Sequence, residues 1–184
     1  MEIVSYPVLH KSKRPSERID CIVLHDTGGK TAAATLAWFC HENSKVSSHY
    51  LVGKDGRIYR CVEEEEKAWH AGTSNLWGED NVNDFSIGIE IVDDSDIDPY
   101  PDEQLASLFD LCADIIFRRK IPLNRVIGHQ HIGVPRGRKV DPGKDFPWYD
   151  FLMTLGERVV RKRVVMRKVV LLLCCGFVVG CSVM

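Results

Sequence analysis

Apolar runs of strand length recur along the chain, separated by polar, glycine-containing segments. Cys21-Ile22-Val23-Leu24, Tyr50-Leu51-Val52, Ile58-Tyr59, Ile87-Gly88-Ile89-Glu90-Ile91-Val92 and Val126-Ile127 are short and bounded by turn residues, as strands are. Lys54-Asp55-Gly56 separates the second and third, which predicts a hairpin closed by a glycine turn. Helical patterns alternate with these strands. Thr31 to His41 is alanine-rich and follows a Gly-Gly turn. From Asp102 to Lys120, Leu105, Leu108, Phe109, Cys112, Ile115 and Ile116 form one stripe at spacings of three and four. Pro101 and two carboxylates open that segment, and Arg118, Arg119 and Lys120 complement the helix dipole at its end. A third helix is predicted to start near Pro147 and run through Phe151, Leu152 and Leu155. The pattern predicts an α/β (α+β) fold, a single mixed central β-sheet flanked by helices.

Charge divides the chain where hydropathy does not. The formal net charge is only −2, from 24 basic and 26 acidic residues. From Arg158 onward there are six basic residues and no acidic one, so residues 1–157 carry a balance of −8. We therefore expect an acidic domain over 1–157 and a basic, then apolar, tail over 158–184. The 184 residues suit one domain, and 45% hydrophobic with 27% charged residues excludes a disordered or collagen-like chain. An acidic body argues against a nucleic-acid partner. Seven cysteines with no C-x-x-C pair indicate neither a disulfide scaffold nor a zinc knuckle; Cys21, Cys40, Cys61 and Cys112 read as small apolar core residues. Glu63 to Glu66 reads as a solvated loop or helix start. The N-terminus lacks a basic segment followed by an apolar core, so cytoplasmic synthesis without an N-terminal signal is expected.

Three residues suggest metal chemistry. His25 ends an apolar strand before Asp-Thr-Gly-Gly, and His129 ends Arg125-Val126-Ile127-Gly128 in the same way. Twelve residues on, Asp141 sits in the rigid turn Val140-Asp141-Pro142-Gly143. Two imidazoles and a carboxylate leave a tetrahedral Zn²⁺ one position for water. The spacing is non-local, and a single histidine at a strand end is commonly a surface or hydrogen-bonded residue, so spacing alone does not decide between the readings.

Five segments in order add a resemblance: Val23-Leu24-His25-Asp26-Thr27, Ser48-His49-Tyr50-Leu51-Val52, Lys67-Ala68-Trp69-His70-Ala71-Gly72, Asn83-Asp84-Phe85-Ser86-Ile87-Gly88-Ile89-Glu90, and Gly128-His129 through Arg138-Lys139-Val140-Asp141-Pro142-Gly143. Together they resemble the type-2 N-acetylmuramoyl-L-alanine amidases, a zinc family with a peptidoglycan-recognition-like fold, over about residues 19–151. The resemblance implies hydrolysis of the amide between N-acetylmuramic acid and L-alanine in peptidoglycan or anhydro-muropeptides, with one Zn²⁺ on His25, His129 and Asp141. It also implies that Glu90 is the general base and that Lys139 stabilises the oxyanion. Two readings stay open within it, cell-wall lysis by an endolysin and recycling of muropeptides. A non-catalytic peptidoglycan-binding module of the same fold is the alternative from another class.

His49, His70 and Trp69 are expected to contact substrate, with Trp77 a second aromatic platform; packed roles compete for all four. His131 departs from the family pattern, which has an acidic residue there. Two residues beyond His129 on a strand it would share that residue's face, as a competing ligand or a support. Val169 to Met184 carries no charge and follows Arg161-Lys162-Arg163 and Arg167-Lys168. As a helix it reaches about 24 Å, short of a hydrocarbon core of about 30 Å. Membrane contact through residues 169–184 is expected, whether spanning, lying on the surface or lipidated, since Val178-Val179-Gly180-Cys181 resembles a lipobox. The other reading is a C-terminal helix packed on the domain. A monomer is expected.

Overall fold

The computed structural model describes residues 2–93 and 99–176, with side chains described through Met166 in the last helix. Six strands form one mixed sheet: β1 (Ile3–Ser5), β3 (Cys21–Asp26), β4 (Tyr50–Val52), β5 (Ile58–Arg60), β9 (Ser86–Ile91) and β10 (Val126–Gly128). Their order is β1-β5-β4-β9-β3-β10. Only β4 and β5 pair antiparallel; β4, β9, β3 and β10 run parallel. The predicted hairpin is present, with Val52 opposite Ile58 and Gly56 at a φ of +74° in its turn. Two small antiparallel pairs lie outside this sheet, β2 (Lys11–Lys13) with β6 (Glu66–Ala68) and β7 (Asn75–Leu76) with β8 (Glu79–Asp80). Their strands are two or three residues long, below the length at which periodicity is readable.

Alternation along the central strands assigns the two faces. Ile22 and Leu24 of β3, with Ile87, Ile89 and Ile91 of β9, pack under α2 (Asp102–Arg119) and α3 (Trp148–Gly176), against Leu108, Leu111, Ile115, Phe151 and Leu155. The opposite face presents His25 from β3, and Ser86, Gly88 and Glu90 from β9. Helix α1 (Ala32–Phe39) covers part of that side through Leu36 and Phe39 on Leu51 and Val92. Its first turn is capped by Thr31, whose side chain accepts from the Ala34 N–H. The mixed sheet with helices on both faces agrees with the fold class expected from the sequence.

Two expectations need correction. Within the Glu63–Glu66 run Glu63 and Glu65 are exposed as expected, but Glu64 is buried and accepts hydrogen bonds from Tyr50, Arg118 and Arg119. The basic end of α2 therefore binds this run as well as complementing its own dipole. Helix α3 also passes without a break through residue 157, where the tail was expected to begin. Val159 is buried, Lys162 pairs with Asp114 at 2.6 Å, and Arg158 pairs with Asp110 on α2. The first basic residues of the tail are thus tied to the domain. Among the described residues no helix is long and apolar enough to cross a membrane. Of the expected membrane segment, residues 177–184 lie outside the described residues.

Candidate metal centre and cleft

Residues at the carboxyl ends of three adjacent parallel strands converge in a cleft of about 530 Å³, the position at which parallel sheets present chemistry. His25 is the fifth residue of β3 and Glu90 the fifth of β9, and the two are register partners. His129 follows directly on β10. Gly128 before it is required by space: a Cβ there would lie 2.9 Å from both Pro142 and Trp148. Asp141 comes from the loop beyond. That loop is pinned where the Gln130 N–H donates to the Asp141 carbonyl at 2.9 Å and the Gly143 N–H to the Asp26 carboxylate at 2.6 Å.

The three expected ligands come together. His25 Nδ1 and His129 Nδ1 are 2.9 Å apart, and Asp141 Oδ2 lies 3.1 and 3.0 Å from them. His129 Nε2 faces the Ala71 carbonyl at 3.0 Å. A carbonyl only accepts, so Nε2 carries the proton and Nδ1 of the neutral ring is a bare lone pair. Two imidazole nitrogens and a carboxylate oxygen thus enclose a space where one proton satisfies at most two of them. A small divalent cation satisfies all three, and a tetrahedral zinc site would space its ligand atoms by about 3.3 Å. The donor set fits the metal.

The electrostatics agree. Burial pushes His25 down to about 4, so it stays neutral and available as a ligand at ordinary pH. Burial opposes the charge on Asp141, but the hydrogen bonds to His129 and His25 hold it well below the usual carboxylate range. Glu90 is raised well above that range, first by burial and then by the Asp141 and Asp26 carboxylates, with Lys139 partly offsetting them. Its residue is partly exposed in the cleft while Oε2 is closed off from solvent without a hydrogen-bond partner. Lys139 lines the same cleft.

Of the residues expected to contact substrate, His70 is among those lining the cleft, whereas His49, Trp69 and Trp77 are not. His49 is fully buried, with the Gly88 N–H donating to Nδ1 at 3.0 Å and Nε2 facing the Glu66 carbonyl at 3.1 Å. It supports the sheet and does not line the cleft. His70 lines the cleft wall, yet both ring nitrogens are engaged, Nδ1 with His25 Nε2 and Nε2 with Ser86 Oγ, each at 3.0 Å. Trp69 donates from Nε1 to Ser12 and packs beside His10, and it is not among the residues that line the cleft. Trp77 is exposed and carries the Arg125 guanidinium over its ring. His131 does not share a face with His129. The chain leaves β10 into a 3-10 turn over His129–His131, which rotates successive side chains by about 120°. His131 instead accepts from the Gly128 N–H at 3.0 Å and packs on Trp148.

Other cleft residues carried no recognisable signal in the sequence. Trp38 of α1, 52% exposed, forms part of the wall with Thr35 and Val46. Asp26 accepts from Tyr100 Oη at 2.8 Å as well as from Gly143, and burial raises it to about 6. It fastens the Asp141 loop to β3. Only its place beside His25 hinted at this role.

Known proteins share this fold. A 1,6-anhydro-N-acetylmuramyl-L-alanine amidase, AmpD, from Haemophilus influenzae is 41% identical over 113 residues, 60% of this chain and 59% of that protein. A solved AmpD structure superposes with a TM-score of 0.69 at 32% identity, covering 83% of this chain and 94% of the other. The amidase AmiD from Escherichia coli, solved with anhydro-N-acetylmuramic acid-L-Ala-D-γ-Glu-L-Lys described as its substrate, gives 0.68 at 36% identity, covering 74% and 57%. The chain spans less than two thirds of the length of curated relatives it matches. The family model described as N-acetylmuramoyl-L-alanine amidase, Amidase_2, matches residues 15–144, a range that takes in the converging His25, His129 and Asp141 together with Glu90 and Lys139, and the chain belongs to that family.

Proposed function

We propose that this chain hydrolyses the amide between the lactyl carbonyl of N-acetylmuramic acid and L-alanine, with anhydro-muropeptides as the preferred substrate. One observation carries the reading: three bare ligand atoms within about 3 Å of one another, beside a carboxylate on the adjacent strand and a lysine in the same cleft. The names and bound substrate of the relatives support anhydro-muropeptides over intact wall.

His25, His129 and Asp141 would hold a zinc ion. When bound, the ion supplies electrophilic polarisation of water and of the scissile carbonyl. Glu90 takes the proton of the attacking water as its oxygen bonds to the carbonyl carbon. A carboxylate whose proton affinity is raised by burial is suited to that task. Lys139 faces the negative charge that gathers on the former carbonyl oxygen, worth about 3 kcal/mol by analogy with single oxyanion donors. As the C–N bond breaks, Glu90 returns the proton to the leaving amine. The products are a free lactyl carboxylate and a stem peptide with a free amino terminus.

The test is release of stem peptide from soluble anhydro-muropeptide and from intact sacculi, with and without a zinc chelator. Chelator-sensitive release, faster on the soluble substrate, is expected. Preferential solubilisation of sacculi would replace recycling with wall lysis. Binding without cleavage by the zinc-loaded protein would leave a recognition module.

A further inference from the structure

Two consecutive residues contact both histidine ligands from behind. His25 Nε2 lies 3.0 Å from His70 Nδ1, and His129 Nε2 lies 3.0 Å from the Ala71 carbonyl. Each ligand therefore has its outer ring nitrogen engaged by one short loop while its Nδ1 faces the enclosed space. The loop is itself fixed: Asn83 Oδ1 accepts from the His70 N–H at 3.1 Å and from the Ala71 N–H at 2.8 Å. Arg138 adds hydrogen bonds to the Ala71 and Thr73 carbonyls at 3.1 and 2.7 Å. The His70 ring lies against β9 at Gly88, where a Cβ would come within 2.4 Å of the ring. Beyond it, Ser86 Oγ is in reach of His70 Nε2 at 3.0 Å.

We propose that the His70–Ala71 loop is a tautomer clamp, with His70 the positioning residue that holds His25 as its Nε2–H form so that Nδ1 is free to bind the metal. In the loaded site His25 Nε2–H donates to His70 Nδ1, and His70 Nε2–H donates to Ser86 Oγ. His70 thereby acts as an acceptor toward one partner and a donor toward the other. His129 needs no such side chain, because the Ala71 carbonyl imposes the same tautomer outright. Partners of this kind orient ligand rings, and their removal typically costs 10–100-fold in metal affinity. The proposal rests on the reading of His25, His129 and Asp141 as a zinc site.

The test is the zinc dissociation constant, measured by competition with a chromophoric chelator, together with imidazole ¹⁵N NMR of the zinc-loaded protein. In the wild type His25 is expected to carry its proton on Nε2 and coordinate through Nδ1. His70→Phe keeps a ring against Gly88 but no acceptor, and should weaken zinc by about 10–100-fold. His70→Gln, whose carbonyl accepts from His25 and whose amide donates to Ser86, should bind zinc close to the wild-type value. Asn83→Ala, which frees the loop without touching either ligand, should also weaken zinc and serves if His70→Phe does not fold. Equal zinc affinity in wild type, H70F and N83A, or coordination of His25 through Nε2, overturns the clamp. A folded wild type that binds no zinc would instead overturn the metal reading beneath it.

Discussion

His25 and Glu90 are register partners on the adjacent parallel strands β3 and β9, so their side chains leave the same face of the sheet side by side. The proposed ligand and the proposed base are therefore spaced by backbone hydrogen bonds, independently of any loop. Replacing the base should then remove the proton transfer while sparing the ligand set. Glu90→Gln is expected to lower kcat by about 10²–10⁴ with zinc content unchanged. A variant that loses zinc along with activity would make Glu90 a ligand or support.

Lys139 should behave differently from Glu90. Lys139→Ala is expected to reduce kcat by about 10²–10³, as for loss of one oxyanion donor, with little change in KM. A rise in KM at constant kcat would assign the lysine to substrate binding.

The 3-10 turn that separates His129 from His131 makes their contributions unequal. His129→Ala should abolish stoichiometric zinc binding, because a chelating ligand is lost from a three-residue set. His131→Ala should retain zinc and lose only the support from the Gly128 N–H and Trp148. Metal analysis of the two purified variants separates the cases, and zinc retained after loss of His129 would reverse the assignment.

How far the sequence revealed this site depended on which interactions were local. The β9 segment Ser-Ile-Gly-Ile-Glu-Ile alternates so regularly that its strand and its two faces could be read directly. The reason for Gly88 could not, because the ring that fills its place comes from His70, eighteen positions earlier. His131 was misjudged for a similar reason: the strand stops at Gly128, and nothing local announces the turn. The role of Glu64 depends on Arg118 and Arg119, more than fifty residues away. Asn83 acts through backbone N–H groups, which leave no mark on the sequence. The helical pattern after Pro147 was legible at its start, yet its continuation through Arg158 and Lys162 depends on Asp110 and Asp114 of α2.

Acid should destabilise the fold in two overlapping stages. Burial lowers His49 to about 3, so the unfolded chain takes up that proton first. Stability should fall as pH drops below the ordinary histidine value of 6.5 and continue falling toward 3. Burial opposes ionisation of Glu64, but Arg118, Tyr50 and Arg119 lower it to about 2. Its contribution is fully present above 4.5 and disappears as pH approaches 2. Glu64→Gln should cost about 1–3 kcal/mol near pH 7, with the difference from wild type shrinking below pH 4. Urea midpoints across this range check both stages; a constant difference would remove Glu64 from the account.

Truncation locates the true end of the folded unit. Ending the chain at Glu157 removes the buried Val159 and the pairs to Asp110 and Asp114, and should cost about 2–3 kcal/mol. Ending it at Met166 keeps all of these contacts and should leave the melting temperature near that of the full chain. Equal melting of the two truncations would place the boundary at 157 after all.

Strand β10 is only three residues long and, among the described residues, sits at the margin of the sheet and pairs with β3 alone. His129 hangs from its end and Asp141 from the loop after it, while His25 stands on the interior strand β3. An ion gripped by all three would act as a rivet, fastening an edge strand of the sheet to an interior one. Chelation should then do more than silence chemistry. It should loosen this margin first, so that amide exchange at Val126–Gly128 registers metal loss before the interior strands do.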